Sequence, residues 1–159
     1  MIGLEDLVLL QKAERLADDN WDLVRAWDDF ARDTVGKQLV RALDSIGANV
    51  AEAFGRYHYG EKINFLYYAR GSLFEGKYWI NRAQKRRLIS DQTHQQYASQ
   101  LRDIAVRINN FARALKSQRS SRSKISELRE PGPIYVTEES NIFSDDDLSW
   151  LSQSPQNLN

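Results

Sequence analysis

Only a few side chains in this sequence have the types and spacing needed for chemistry. Asp91 and His94 lie three residues apart, a spacing that would place both on one metal ion at the start of a helix. A di-metal site in a helical bundle also needs glutamates and Glu-x-x-His pairs from several helices, and the sequence contains no Glu-x-x-His. We therefore predict no metal site and expect His94 at the surface.

Sets of residues for nucleophilic or acid–base catalysis are equally sparse. The chain has no cysteine and no G-x-S-x-G, P-loop or G-x-G-x-x-G pattern. Glu52 and Glu75 could pair as acid and base across two helices. The simpler interpretation is that they are packing or interface carboxylates held by Arg56 or Arg70. The sequence predicts a non-enzymatic protein with no catalytic residue and no cofactor.

Basic side chains form the strongest candidate site. Four of them cluster near the end of a predicted helix, and others continue the charge along that helix and the next. Phosphates of RNA or DNA suit this arrangement, and nearby tyrosines add stacking surfaces. A solvated face with cations that compensate a helix end is the alternative, and the residues alone do not separate the two. The predicted nucleic-acid-binding residues are Arg70, Lys77, Arg82, Lys85, Arg86, Arg87, Arg102 and Arg113.

The charge distribution supports a polyanionic partner. The 159 residues have a net charge of zero, but the charges are segregated along the chain. Residues 1–33 hold nine acidic and four basic residues, residues 34–116 hold six and fourteen, and residues 117–159 hold seven and four. The middle of the chain is therefore basic, with a net charge of +8, between two acidic ends.

Composition places the chain among cytoplasmic globular proteins. Hydrophobic residues make up 42% of the sequence and charged residues 28%, which is enough for one core-forming domain. Glu5 and Asp6 precede any apolar run of signal-peptide length, and no apolar stretch approaches the roughly 20 residues that span a bilayer. We expect no membrane association, and the absence of cysteine fits a reducing compartment.

Apolar residues at alternating steps of three and four predict four helices. The first runs from about residue 4 to 30, the second from a cap at Asp33 or Thr34 to Gly55, the third over about 61–88, and the fourth from a cap at Ser90. Short connections favour antiparallel neighbours. We therefore predict an all-α, up-down-up-down four-helix bundle over residues 1–116.

A polar stripe accompanies the buried face of the second helix. In SIGANVAEAFGR, residues 45–56, an apolar series at helical spacing is followed by an equally regular polar series about 100° round the helix. A family resemblance that this stretch carries together with two others implies that the adjacent face packs within the subunit or meets a neighbouring subunit. The predicted packing or subunit-interface residues are Ser45, Asn49, Glu52, Arg56, Ser72 and Glu75.

Residues 117–159 form a low-complexity tail that we expect to be mostly disordered, with all three prolines and no sustained period. Within it, Ser144 can cap a short helix that begins with three aspartates and continues with Leu148, Trp150 and Leu151. Residues 144–151 are therefore predicted to be a docking peptide, which binds a partner or folds back on the bundle.

Three stretches, SIGANVAEAFGR, FLYYARGSLFE and RLIS, resemble the four-helix-bundle proteins encoded within intervening sequences of bacterial 23S rRNA genes. That family includes the accessory variability determinant, Avd, of diversity-generating retroelements. The sequence departs from the family pattern at Ala53 and Arg87, where glycine is usual. The resemblance covers about residues 4–116.

The resemblance implies a barrel-shaped homopentamer with a basic surface. Expected partners are therefore further copies of this chain and structured RNA or DNA. The alternative is an adaptor role in which the chain docks a reverse transcriptase.

Overall fold

The computed structural model describes residues 7–123 and 141–155, and within these ranges it is all-α with no strand. Five helical elements follow one another along the chain. The second is continuous but changes from α-helical to π-helical and back. The elements are α1 (Val8–Arg25), α2 (Asp29–Ala31, the π-helical Arg32–Gly36, and Lys37–Gly55), α3 (Tyr59–Lys85), α4 (Asp91–Ser123) and α5 (Asp145–Ser152).

The four long helices enclose one apolar core. Helix α2 packs on α1 and α3, and α4 packs on α3 and α1. The predicted stripe of α2 is buried, as Leu39, Ile46 and Val50 show. Asn20 of α1 is also fully buried. Helical periodicity therefore identifies the faces that form the core.

The first helix ends earlier than the sequence predicted. It was expected to continue to about residue 30, but α1 ends at Arg25. Asp28 begins α2 instead, because its side chain accepts a hydrogen bond from the Ala31 backbone N–H at 3.0 Å. Phe30, which the apolar spacing placed on the core face of the first helix, is 79% exposed.

The turn between α3 and α4 agrees with the predicted cap at Ser90. The Ser90 Oγ accepts a hydrogen bond from the Thr93 N–H at 3.1 Å, and α4 begins at Asp91. At its other end α4 continues to Ser123, seven residues beyond the predicted domain boundary at 116.

The two glycines of α3 differ in what surrounds them. A Cβ at Gly76 would lie 2.7 Å from Leu43 Cδ2, so the absence of a side chain lets α3 approach α2. Gly71 has open space around its Cα, with no atom within 4 Å of a Cβ built there. Gly76 therefore permits a close approach of two helices, whereas Gly71 meets no neighbouring helix within the described chain.

Among the described helices, none has the length and apolar character needed to cross a membrane.

Candidate nucleic-acid interface

Four basic residues meet where α3 ends, and we call Arg82, Lys85, Arg86 and Arg87 the basic turn. Lys85, Arg86 and Arg87 are exposed. Within the described part of the chain, no carboxylate lies within ion-pair distance of these three side chains. Positive charge is favoured at a helix C-terminus by the macrodipole, so the helix itself tolerates the cluster.

The backbone of the basic turn is a Schellman motif with an unusual residue at its centre. The N–H of Leu88 donates to the Ala83 carbonyl and that of Arg87 donates to Gln84, both at 2.9 Å. Arg87 occupies the left-handed position with φ = 60°. Glycine adopts this conformation freely, whereas a residue with a Cβ is strained by about 1 kcal/mol or more.

Arg82 is the least exposed member of the basic turn. It is half-buried, and its guanidinium carbon sits 5.8 Å from the centroid of the Tyr78 ring. Tyr78 is itself 52% exposed, so a cation and an aromatic face lie side by side at the surface. This pairing is the kind of platform on which nucleobases stack beside a phosphate contact.

Of the other two α3 cations that the sequence assigned to the basic surface, Lys77 is buried and Arg70 is half-buried and ion-paired. Residues 141–155 pack over them, and we call this segment the C-terminal strap. An Arg70 Nη lies 3.2 Å and 3.3 Å from the two carboxylate oxygens of Asp147. Lys77 is 1% exposed, and its Nζ donates to the Gln153 carbonyl at 2.7 Å. With the strap docked, Lys77 cannot reach a phosphate.

The remaining predicted cations are spread along α4. Arg102 is exposed and lines an open cavity between α4 and the strap, together with His94 and Asp145. Arg113 is exposed and donates to Asn110 further along the helix. Eleven residues separate Arg102 from Arg113, or about 16 Å at the rise of an α-helix. The structure therefore brings together the basic turn and leaves Arg113 apart from it.

Apolar contacts and buried polar bonds hold the strap in place. Phe143 is 1% exposed and exchanges two hydrogen bonds with the Asn109 side chain. Asn109 Nδ2 donates to its carbonyl at 2.9 Å, and its N–H donates to Asn109 Oδ1 at 2.8 Å. The Phe74 ring stacks between Phe143 and Trp150, at centroid distances of 6.1 Å and 5.1 Å. The predicted docking peptide thus lies on the chain's own helices.

Asp147 links the start of α5 to α3. Its N–H donates to Ser144 Oγ while its carboxylate accepts from the Ser144 N–H, so the two residues form a capping box. Partial burial opposes ionisation of this carboxyl. Hydrogen bonds from Ser144 and Arg70 outweigh that effect, and the pKa of Asp147 lies below its usual value.

The helices that carry the basic turn match a known protein family. A family model described as 23S rRNA-intervening sequence protein matches residues 5–110. The chain belongs to this family. A search of curated proteins finds no match.

The family match ends within α4. It includes the basic turn and Asn109, but the whole strap lies outside it. In this member of the 23S rRNA-intervening sequence protein family, the strap is therefore an addition to the matched helices.

The polar stripe of this family member contacts α3 through Asn49 and Arg56. Asn49 Nδ2 donates to the Ser45 carbonyl at 2.8 Å and lies 3.4 Å from Ser72 Oγ. Glu52 and Arg56 pair within α2 at 2.6 Å, and the pair is half exposed. Among the described residues, neither Glu52 nor Arg56 forms a hydrogen bond or an ion pair with α3. The Arg56 guanidinium instead lies over the Phe65 ring of α3, 4.7 Å from its centroid, and Glu75 is exposed.

His94 was predicted to lie at the surface, and this was wrong. It is 1% exposed, and its Nε2 donates to Asn81 Oδ1 at 2.8 Å. Burial, followed by the nearby Lys77 ammonium, lowers the pKa of His94 to about 4 despite the opposing charge of Asp91. No group of three or more metal-ligating side chains occurs among the described residues.

Sequence reasoning missed Asn109 as the anchor of the strap. A weak signal was present, because Ala98, Ala105 and Ala112 recur every seven residues on α4 and are all buried. Asn109 shares this narrow face and is 5% exposed. Small residues at that spacing mark a face that another segment approaches closely.

Proposed function

We propose that this protein is a non-enzymatic, nucleic-acid-binding member of its family. It binds structured RNA or DNA through phosphate contacts from the basic turn. The observation that carries the proposal is Arg87, a cation in a left-handed backbone position where glycine would be unstrained. Strained backbone residues are concentrated at functional sites, and here the strain coincides with exposed charge that has no ion-pair partner among the described residues.

The proposed mode of binding is electrostatic. Exposed cations that neutralise phosphates release counterions, so the affinity falls steeply with salt and depends little on base sequence. Each contact contributes a slope of about −0.9 to a plot of log affinity against log salt for duplex DNA. Three contacts from Lys85, Arg86 and Arg87 therefore contribute about −3.

Reversing the charge of these three residues is expected to abolish their contribution to the salt-dependent affinity. Fluorescence anisotropy with labelled structured RNA and duplex DNA, across a salt series, measures this affinity. We expect Lys85→Glu/Arg86→Glu/Arg87→Glu to lose more than about tenfold in affinity at low salt and to flatten the slope by about 3. A matched control reverses three exposed cations elsewhere, Arg15, Arg41 and Lys116. Equal losses in both variants would contradict a role for the basic turn.

Arg87→Gly separates binding from folding at a single position. Glycine relieves the left-handed strain, so this variant is expected to be more stable by about 1 kcal/mol in urea denaturation. It is also expected to bind duplex DNA with a salt slope that is flatter by about 0.9. A variant that is more stable but binds as well as the wild type would contradict the assignment of Arg87.

We further propose that the four long helices form an up-down-up-down bundle that assembles into a ring, five-fold by family resemblance. Tyr67 and Tyr68 on α3 support self-association, because they are 42% and 59% exposed beside the open Gly71. A ring would present several basic turns to one nucleic acid and raise the overall affinity through multivalency. Native mass spectrometry at low salt tests the assembly, and a single-chain mass would contradict it.

A further inference from the structure

The C-terminal strap covers basic residues that lie next to the basic turn. Arg70 and Lys77 are two helical turns apart on the same face of α3, and Lys77 precedes Arg82 by five residues. The rise of the helix therefore places Lys77 about 8 Å from Arg82 along the axis, with Arg70 about 10 Å further. Round the helix, Lys77 lies about 140° from Arg82 but only about 80° from Lys85, so without the strap Arg70 and Lys77 would form a basic row on the side of α3 next to Lys85.

We infer that the strap is an internal competitor of nucleic acid, which occupies the phosphate-binding positions of Arg70 and Lys77 and places Asp145 in the cavity beside Arg102 until it is released. The inference rests on the proposed function of the basic turn and names the regulation of that site. The basic turn stays open when the strap is docked and provides basal binding. Release of the strap extends the binding surface along α3 and α4.

The strap carries negative charge where a nucleic acid would place its phosphates. One Nη of Arg70 lies within hydrogen-bond distance of both carboxylate oxygens of Asp147, a charge-assisted contact of the kind that arginine also makes with a phosphate. Asp145 lines the same cavity as Arg102. The N-terminal turn of α5 is entirely acidic, with Asp145, Asp146 and Asp147 in succession.

The contact between the strap and the buried Lys77 ammonium is less favourable than an ion pair would be. Its ammonium is buried against a backbone carbonyl of Gln153, and no carboxylate forms an ion pair with it among the described residues. A buried cation with a neutral partner opposes docking, whereas a phosphate would neutralise the charge. Lys77 is thus better suited to the released state than to the docked one.

The chain length allows the strap to leave and return. Seventeen residues separate Ser123, the last residue of α4, from Asn141, the first described residue of the strap. A tethered segment rebinds at an effective concentration in the millimolar range, so nucleic acid must compete with it. Because of this competition, the fraction of protein with a displaced strap should increase gradually with the number of phosphates that the nucleic acid offers.

The test compares salt slopes of full-length variants. Phe143→Ala/Leu151→Ala removes the two deeply buried anchors of the strap without changing any charge. We expect this variant to bind duplex DNA at least about tenfold more tightly at low salt, with a slope that is steeper by about 2. Asn109→Ala leaves every strap residue intact and removes both hydrogen bonds to Phe143, so it provides a second route to release.

Arg70→Gln shows whether the gain comes from the uncovered surface. In the released background it is expected to flatten the slope by about 0.9, because it removes one of the uncovered phosphate contacts. A synthetic peptide of residues 141–155 added to the released variant should reverse the gain. Asp145→Asn/Asp146→Asn controls for charge alone, and we expect it to gain less than the released variant.

Two outcomes separate this inference from the proposed function. If the wild type binds through the basic turn and strap release, verified by protease cleavage within 141–155, leaves affinity and slope unchanged, the inference fails alone. If neither the wild type nor the released variant binds RNA or DNA at low salt, the proposed function fails and the inference fails with it.

Discussion

Replacing Lys77 with methionine is expected to raise the free energy of unfolding by about 2 kcal/mol at pH 7. Burial lowers the pKa of Lys77 to about 8, from 10.5 in an exposed lysine. The difference between these two pKa values corresponds to about 3 kcal/mol of unfavourable free energy for the charged form of Lys77. Methionine removes this cost and fills a similar volume. It also leaves the Gln153 carbonyl without its donor, which costs about 1 kcal/mol.

The same residue predicts how stability changes in alkali. Between about pH 8 and 10.5 the unfolded chain binds a proton at Lys77 that the folded chain has lost, so the contribution of Lys77 to stability rises with pH over that range. Urea denaturation at pH 7 and pH 10 measures this. Between pH 7 and pH 10, the free energy of unfolding of the wild type should rise relative to that of Lys77→Met. Lys85→Met, at an exposed lysine of the same helix, is the control. A destabilised Lys77→Met protein at pH 7 would contradict the account.

Acid is expected to destabilise the protein through His94. In the folded state the pKa of His94 is about 4, against 6.5 when it is exposed, because burial and the Lys77 ammonium disfavour the imidazolium. The unfolded chain therefore takes up a proton between pH 6.5 and 4 that the folded chain resists. The folded state should lose about 3 kcal/mol from this residue over that interval.

Substitution isolates the histidine from the carboxylates that titrate in the same range. His94→Gln keeps an N–H donor for Asn81 and cannot titrate, so its stability should fall less between pH 6.5 and 4 than that of the wild type. His58→Gln removes an exposed histidine and should match the wild type. Urea midpoints measured across this range provide the comparison. Identical acid sensitivity in all three proteins would show that His94 titrates normally in the fold.

Periodicity predicted the core but not where one helix ends. Trp27 and Phe30 continue the spacing of α1, yet the helix stops at Arg25 and Phe30 faces solvent. The competing signal was Asp28, whose side chain caps the following helix. Three- and four-residue spacing predicts which residues share a face as long as the helix continues. It does not predict where the helix ends, because a capping side chain can start a new helix at that point.

Burial of the polar residues depended on sequence-distant contacts. Lys77 is buried beneath Gln153, 76 positions later, and Asn109 bonds Phe143, 34 positions later. No local pattern encodes such contacts, so Lys77 resembled its exposed basic neighbours. The helix-capping signal at Ser144 was local, and it was predicted correctly together with the apolar residues that follow it.

Photo-cross-linking is the most direct test of the claim that the basic turn binds nucleic acid. Thiouridine-labelled structured RNA would be bound to the full chain at low salt, irradiated, and mapped by mass spectrometry of the cross-linked peptides. The account predicts adducts on Tyr78 and on peptides of the basic turn, which disappear when Lys85, Arg86 and Arg87 are reversed. Adducts confined to the opposite end of α3, around the exposed Tyr57, or no adducts at all, would contradict it.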